Sequence, residues 1–340
     1  MRLATLHDGT RDGRLIVVDR LLRRAVGAGY GLRRLQDALD DWDGASAGLR
    51  YLSRRLDAGS AVGSFDLDMS RLMAPLPRAY QWLDASGYMN HVELVRRARG
   101  ADMPPDMYHD PIMYQGGSDT FLRATAPIAV GDAELWGADF EAEIVVVTGD
   151  CPLGADRARA AASIILVGLV NDISLRGLIP AELAKGFGFV HGKPPTAFAP
   201  ILVTPDELGT SWDGAKLSLP VEVKLNGEQV GKPNAGEDLT FDFPALIVHA
   251  AKTRPLSAGT VIGSGTVSNR DRSSGVCCLA ERRMIETIET GAPKTPFLAL
   301  GDRVEIEVRD AEGKSVFGRI DQRVTSLAGV HKNAPAMEDA

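Results

Sequence analysis

Two glutamates, Glu141 and Glu143, lie inside the apolar run Asp139-Phe-Glu-Ala-Glu-Ile-Val-Val-Val147, and Asn171-Asp172 closes a second such run. Val, Ile and Phe favour a strand, where residues two apart share a face, so Glu141 and Glu143 should project side by side. Burying two adjacent carboxylates requires protonation, basic partners or a cation, and no Lys or Arg lies nearby in sequence. With Asp172 and Asp84 they offer an all-oxygen set suited to a hard divalent ion, Mg²⁺ first and Mn²⁺ or Ca²⁺ next, whereas zinc would recruit His or Cys. The competing reading places both glutamates on the wet face of an antiparallel strand.

The stretch Asp84-Ala-Ser-Gly-Tyr-Met-Asn-His91 places a carboxylate and an imidazole on a loop leading into a helix. Imidazole titrates near neutrality, so His91 could deprotonate water if a carboxylate fixed its orientation; a helix-start His beside a capping Asp would look the same. His191-Gly-Lys193 and Ser264-Gly-Thr266-Val-Ser268 are glycine-bearing loops that a ligand could approach closely, although neither is a phosphate loop. Glu281 follows Cys277-Cys278-Leu-Ala, and a surface ion pair with Arg282 or Arg283 is its plain alternative.

The elements that must position these groups are mostly β. Ala138 to Val147, Leu166 to Ile173, Pro200 to Thr204, Leu217 to Leu225, Thr260 to Ser264 and Val304 to Arg309 read as strands. Asn226-Gly227 predicts a type I′ hairpin, and short helices are expected over His91 to Arg99 and Phe243 to Lys252. Upstream, Thr5 to Asp19 reads as two short strands about Asp-Gly turns, followed by helix from about Leu21 through Leu56. The paired arginines there read as solvated helix faces. The proline-marked Leu72-Met-Ala-Pro-Leu-Pro77 suggests a boundary, giving an N-terminal module over 1–72, a catalytic domain over 73–330 and a flexible tail over 331–340.

At 340 residues the chain can bury a substantial core, and its net charge of −7 gives no electrostatic reason to bind nucleic acid. Only three cysteines occur, two of them adjacent, which argues against a disulfide framework and for a reduced cytoplasm. The N-terminus lacks the apolar core of a signal peptide and no apolar run is long enough to span a bilayer, so no membrane association is expected.

Taken together, Asp84 with His91, Tyr114-Gln-Gly116, Phe140-Glu-Ala-Glu143, Asn171-Asp-Ile-Ser-Leu-Arg176, Gly192-Lys193, Gly263-Ser-Gly-Thr266 and Glu281 resemble the fumarylacetoacetate hydrolase family from about Met73 to Val324. The resemblance implies a mixed β-sandwich roll (α+β), a homodimer, and a smaller N-terminal α/β module. It implies metal ligation by Asp84, Glu141, Glu143 and Asp172, and a dyad of His91 as general base oriented by Glu281. Lys193 and Arg176 fall on the anion-stabilising positions, Thr266 on a substrate-carboxylate contact and Tyr114 on a substrate-lining tyrosine. The implied activity is metal-dependent hydrolysis of a carbon–carbon bond in a small 2-oxo or diketo acid. Decarboxylation, hydration or isomerisation on the same scaffold is the alternative, and a non-catalytic relative a further one. Three positions depart from fumarylacetoacetate-cleaving members: Ile179 replaces a glutamine, Leu183 a substrate tyrosine and Ser86 a metal-side tyrosine.

Overall fold

Alternation of apolar side chains along the strands builds one large sheet with two buried faces. The computed structural model describes residues 1–29, 31–98, 100 and 102–329; the expected tail over 331–340 lies outside them. Across the sheet run Phe65–Asp66, Arg24–Gly27, Arg14–Val18 and Arg2–Leu6, then Leu202–Val203, Ile164–Asn171, Ala142–Thr148, Val261–Gly263, Trp82–Ala85 and Met113–Gly116, with Ala197–Phe198 also on Ile164–Asn171. The N-terminal module is therefore continuous with the central sheet, through the pairs Arg2–Val203 and Leu3–Leu202.

On one face Val145, Val147, Leu166, Val170 and Trp82 pack with Leu35, Leu39, Leu49 and Leu56 of the helices Leu35–Asp40 and Trp42–Asp57. On the other, Ile144, Val146, Leu169 and Ile262 share a core with Val221, Val223, Val304 and Ile306 of a second, five-stranded sheet. That sheet contains the hairpin Val221–Leu225 and Glu228–Gly231, whose Asn226 and Gly227 both have positive φ, as a type I′ turn requires. The architecture is a mixed α+β roll, and among the described residues no helix is long and apolar enough to cross a membrane.

Three expectations change. Helix does not begin near Leu21: Arg24–Gly27 is a third strand, because the Asp19 carboxylate accepts the Arg23 and Arg24 N–H groups and Leu22 takes positive φ, turning the chain back on Arg14–Val18. The run Ala138 to Val147 is two strands, Ala138–Asp139 and Ala142–Thr148, interrupted at Phe140 and Glu141. The break arises where the Asn171 side chain, rather than a strand carbonyl, accepts the Glu141 N–H at 3.0 Å. Asp84 sits on the buried strand Trp82–Ala85 rather than on a loop, held there by parallel pairing with Val261–Gly263.

Candidate active site

Four carboxylates on or next to the strands Ile164–Asn171, Ala142–Thr148 and Trp82–Ala85, the last two flanking Val261–Gly263, meet at one end of the sheet. Asp84 follows Trp82 on the same face, Glu143 precedes Val145 and Val147 on that face, and Asp172 follows Val170, so each continues a stripe that is apolar further along. Glu141 joins from the break before Ala142, and all four are buried, with one oxygen from each lying within 4.8 Å of the others. The paired glutamates therefore do not face water. Gly263 makes the arrangement possible: it pairs with both Asp84 and Val145, and a Cβ there would stand 2.5 Å from Asp84 Oδ1.

Two cations touch one side of the cluster. Lys193 Nζ donates to Glu141 Oε2 and Asp172 Oδ2, both at 2.5 Å, while Arg176 donates from Nη2 to Glu141 Oε1 at 2.5 Å and from Nε to Asp139 Oδ2 at 3.0 Å. Tyr114 Oη donates to Asp172 Oδ2 and Thr196 Oγ1 to Asp172 Oδ1, each at 2.6 Å. The other side has no such partners: both oxygens of Glu143 and Oδ1 of Asp84 are buried without a hydrogen bond.

The asymmetry shows in protonation. Burial alone would raise Glu141, but Arg176 and Lys193 more than offset it and hold its carboxyl well below the usual range. Burial, followed by repulsion from Asp172, pushes Asp84 up to about 7, with Lys193 opposing. Burial and repulsion from Asp84, Asp172 and Glu141 push Glu143 well up. Orphaned, buried, mutually repelling oxygens are what a hard divalent cation would satisfy, so the donor set fits such an ion.

His91, on the helix Met89–Ala98, places Nδ1 3.0 Å from Oε2 of Glu281, on the helix Leu279–Thr290 and buried. Glu281 thus faces His91 and not its neighbours: Arg282 pairs with Glu286 and Arg283 bonds the Thr295 carbonyl. A cavity of about 410 Å³ is lined by His91, Arg176, Ile179, Pro180 and Phe297, so that Ile179 and the imidazole border one space. Thr266 is buried just after Val261–Gly263, on the segment whose Val267 N–H donates to the Ala142 carbonyl, and it flanks the glutamates. Leu183 is not brought in; it ends the helix Ile179–Leu183 with 51% of its surface exposed.

Residues that pattern reading passed over organise the rest. Asp139 accepts Arg176 and the Leu279 and Ala280 N–H groups. Glu182 accepts three successive N–H groups, from Val190, His191 and Gly192, and so fixes the turn that leads into Lys193. Asn171 spans from the Glu141 N–H to Gln322. Asp139 and Asn171 meet partners 30 or more residues away and Glu182 meets partners eight to ten residues on, pairings that no local pattern announces.

Comparison with known proteins identifies the family. A model described as "Fumarylacetoacetate (FAA) hydrolase C-terminal" matches residues 81–325, and one described as "Fumarylacetoacetase N-terminal domain 2" matches residues 1–78. The chain belongs to the fumarylacetoacetate hydrolase family of enzymes. It is 25% identical over 253 residues, 73% of each chain, to the oxaloacetate tautomerase YisK of Bacillus subtilis (strain 168). Its fold is similar to that of maleylpyruvate hydrolase from Sphingobium sp. SYK-6 in complex with manganese (II) ion and pyruvate, at TM-score 0.62 and 17% identity over 96% of this chain and 99% of that one. It is also similar to 5-carboxymethyl-2-hydroxymuconate delta-isomerase from Mycobacterium smegmatis, at TM-score 0.59 and 18% identity over 96% and 100%. A hydrolase and an isomerase thus share this fold, and a tautomerase is related in sequence.

Proposed function

We propose that the chain is a metal-dependent hydrolase that cleaves a carbon–carbon bond in a small β-diketone acid of the acylpyruvate type. The observation that carries this reading is the His91–Glu281 pair, 3.0 Å apart, beside four clustered carboxylates. A divalent ion held by Asp84, Glu141, Glu143 and Asp172, Mg²⁺ by preference, would supply Lewis-acid polarisation of the substrate's carbonyl oxygens. His91, with Nδ1 engaged by Glu281, takes a proton from water through its other nitrogen. The hydroxide so formed adds to the carbonyl carbon, and the new oxyanion is met by Lys193 and Arg176. Each keeps unused donors, since Lys193 spends two of three on carboxylates and Arg176 two of five. Scission of the carbon–carbon bond expels a carbanion, which takes back the proton from His91 at carbon and leaves two acids.

Tyr114 and Thr266 would face the substrate, and the apolar Ile179 would set its far end, which disfavours fumarylacetoacetate itself. Homodimerisation belongs to the same reading and is checked by analytical ultracentrifugation. A panel of acylpyruvates incubated with Mg²⁺ and resolved by chromatography tests the reaction: an acid pair is expected from at least one, and none from any would sink it. The likeness to an oxaloacetate tautomerase favours a second reading, keto–enol interconversion of a 2-oxo acid by the same base. Ultraviolet absorbance of enol oxaloacetate distinguishes the two, because tautomerisation removes the enol without producing a second acid.

A further inference from the structure

We propose a second cation site, formed by His91, Cys278 and Glu141 and selective for a thiophilic ion such as Zn²⁺, which shares Glu141 with the four-carboxylate cluster. One ligand atom of each of the three residues lies within 4.8 Å of the others. A tetrahedral ion with bonds of about 2.0–2.3 Å draws its ligand atoms to within roughly 4 Å of one another, so closing the set takes shifts of about an ångström. The donor types are those of zinc and cadmium: one thiol, one imidazole, one carboxylate and an open fourth position.

The surroundings favour such an ion. His91 has Nδ1 on Glu281, the carboxylate–imidazole arrangement that orients a metal-ligating histidine and leaves its other nitrogen for the ion. Asp139, Glu141 and Glu281 stand around Cys278, with Arg176 opposing them there and Lys193 held on Glu141. Cys278 is fully buried and spends its sulfur only on the Glu281 N–H, at 3.3 Å, as the N-cap of the helix Leu279–Thr290. Serine would perform that capping at least as well, so the cap alone does not call for sulfur. An ion bound there would occupy the nitrogen with which His91 is proposed to take a proton, and thereby switch off the base. That consequence rests on the function proposed above; binding does not.

Cadmium added to the full chain in saturating Mg²⁺ tests binding, read as the ultraviolet sulfur-to-metal charge-transfer band. One equivalent per chain is expected to give the band in the parent and in Cys277→Ser and Cys151→Ser, and none in Cys278→Ser of unchanged melting temperature. His91→Ala should weaken Cd²⁺ binding by about tenfold or more, since even outer-shell losses reach that size. No band in the parent, a band that survives Cys278→Ser, or unchanged affinity in His91→Ala would overturn the proposal. If the diketone panel yields no products while the band behaves as described, the second site stands and the hydrolase reading falls.

Discussion

Asp139 accepts a hydrogen bond from Arg176 Nε at 3.0 Å, and the same buried carboxylate accepts the Leu279 and Ala280 N–H groups at the start of the helix that carries Glu281. One side chain thus ties the cation beside Glu141 to the helix that presents the acid partner of His91. Burial pushes the Asp139 carboxyl upward, and Arg176 with the two amides opposes that push.

Asp139→Asn keeps the volume but puts an amide donor where acceptors are required. Loss of a charged hydrogen bond costs roughly 1.5–3 kcal/mol, so urea unfolding should show destabilisation of that order. Turnover should fall more than KM rises, because Arg176 and Glu281 shift while the carboxylate cluster stays. Equal loss of stability with unchanged kcat would reduce Asp139 to a purely structural role.

The dyad makes a separate prediction. His91→Ala should lower kcat by about 10²–10⁴-fold, the usual contribution of a positioned general base. Glu281→Gln should lower it less, since the imidazole remains and only its orientation and charge stabilisation weaken. A His91→Ala enzyme with the parent rate would remove water activation by this residue.

Much of this was legible in the chain because its signals are local. Burial of Glu141 and Glu143 follows from apolar flanks, and Asn226-Gly227 carries its own backbone requirement. What was not legible depends on distant partners. The strand break at Glu141 is set by Asn171, 30 residues on, and the role of Asp139 by amides 140 residues away. Arg24–Gly27 looked helical because Leu21 and Leu22 continue an apolar pattern, whereas the Asp19 carboxylate turns the chain. Leu183 illustrates the opposite limit: a position inferred by resemblance to face substrate is exposed in this structure.

Protonation of the cluster predicts how metal affinity depends on pH. With Asp84 raised to about 7 and Glu143 raised well above its ordinary value by burial and its acidic neighbours, the metal-free cluster holds a proton on Asp84 below neutrality, and an ion must displace it. Apparent Mg²⁺ affinity should therefore rise with pH, by about tenfold per unit for each proton displaced, and flatten as Asp84 ionises on its own. Calorimetry in buffers of different ionisation enthalpy checks this through net proton release near pH 6. The thermal shift given by Mg²⁺ should vanish in Glu141→Gln, and pH-independent affinity would contradict the assigned protonation.

Gly263→Ala tests the packing that admits Asp84. The added methyl would stand 2.5 Å from Asp84 Oδ1 and 2.5 Å from the Trp82 ring, and neither neighbour can retreat freely. Trp82 is buried in the apolar stripe behind, and Asp84 is held by ladder pairing on both sides, with Val261–Gly263 and Met113–Gly116. Overpacking of this kind costs roughly 1–3 kcal/mol, so the variant should unfold at lower urea yet remain folded at 25 °C. Asp84 is the group that must yield, being the one not anchored by a hydrogen bond at Oδ1. Mg²⁺ affinity should therefore drop in Gly263→Ala while the His91–Glu281 pair stays intact. Parent-like Mg²⁺ binding in a destabilised variant would show that the strand absorbs the methyl without moving Asp84, and would remove Gly263 from the determinants of the site.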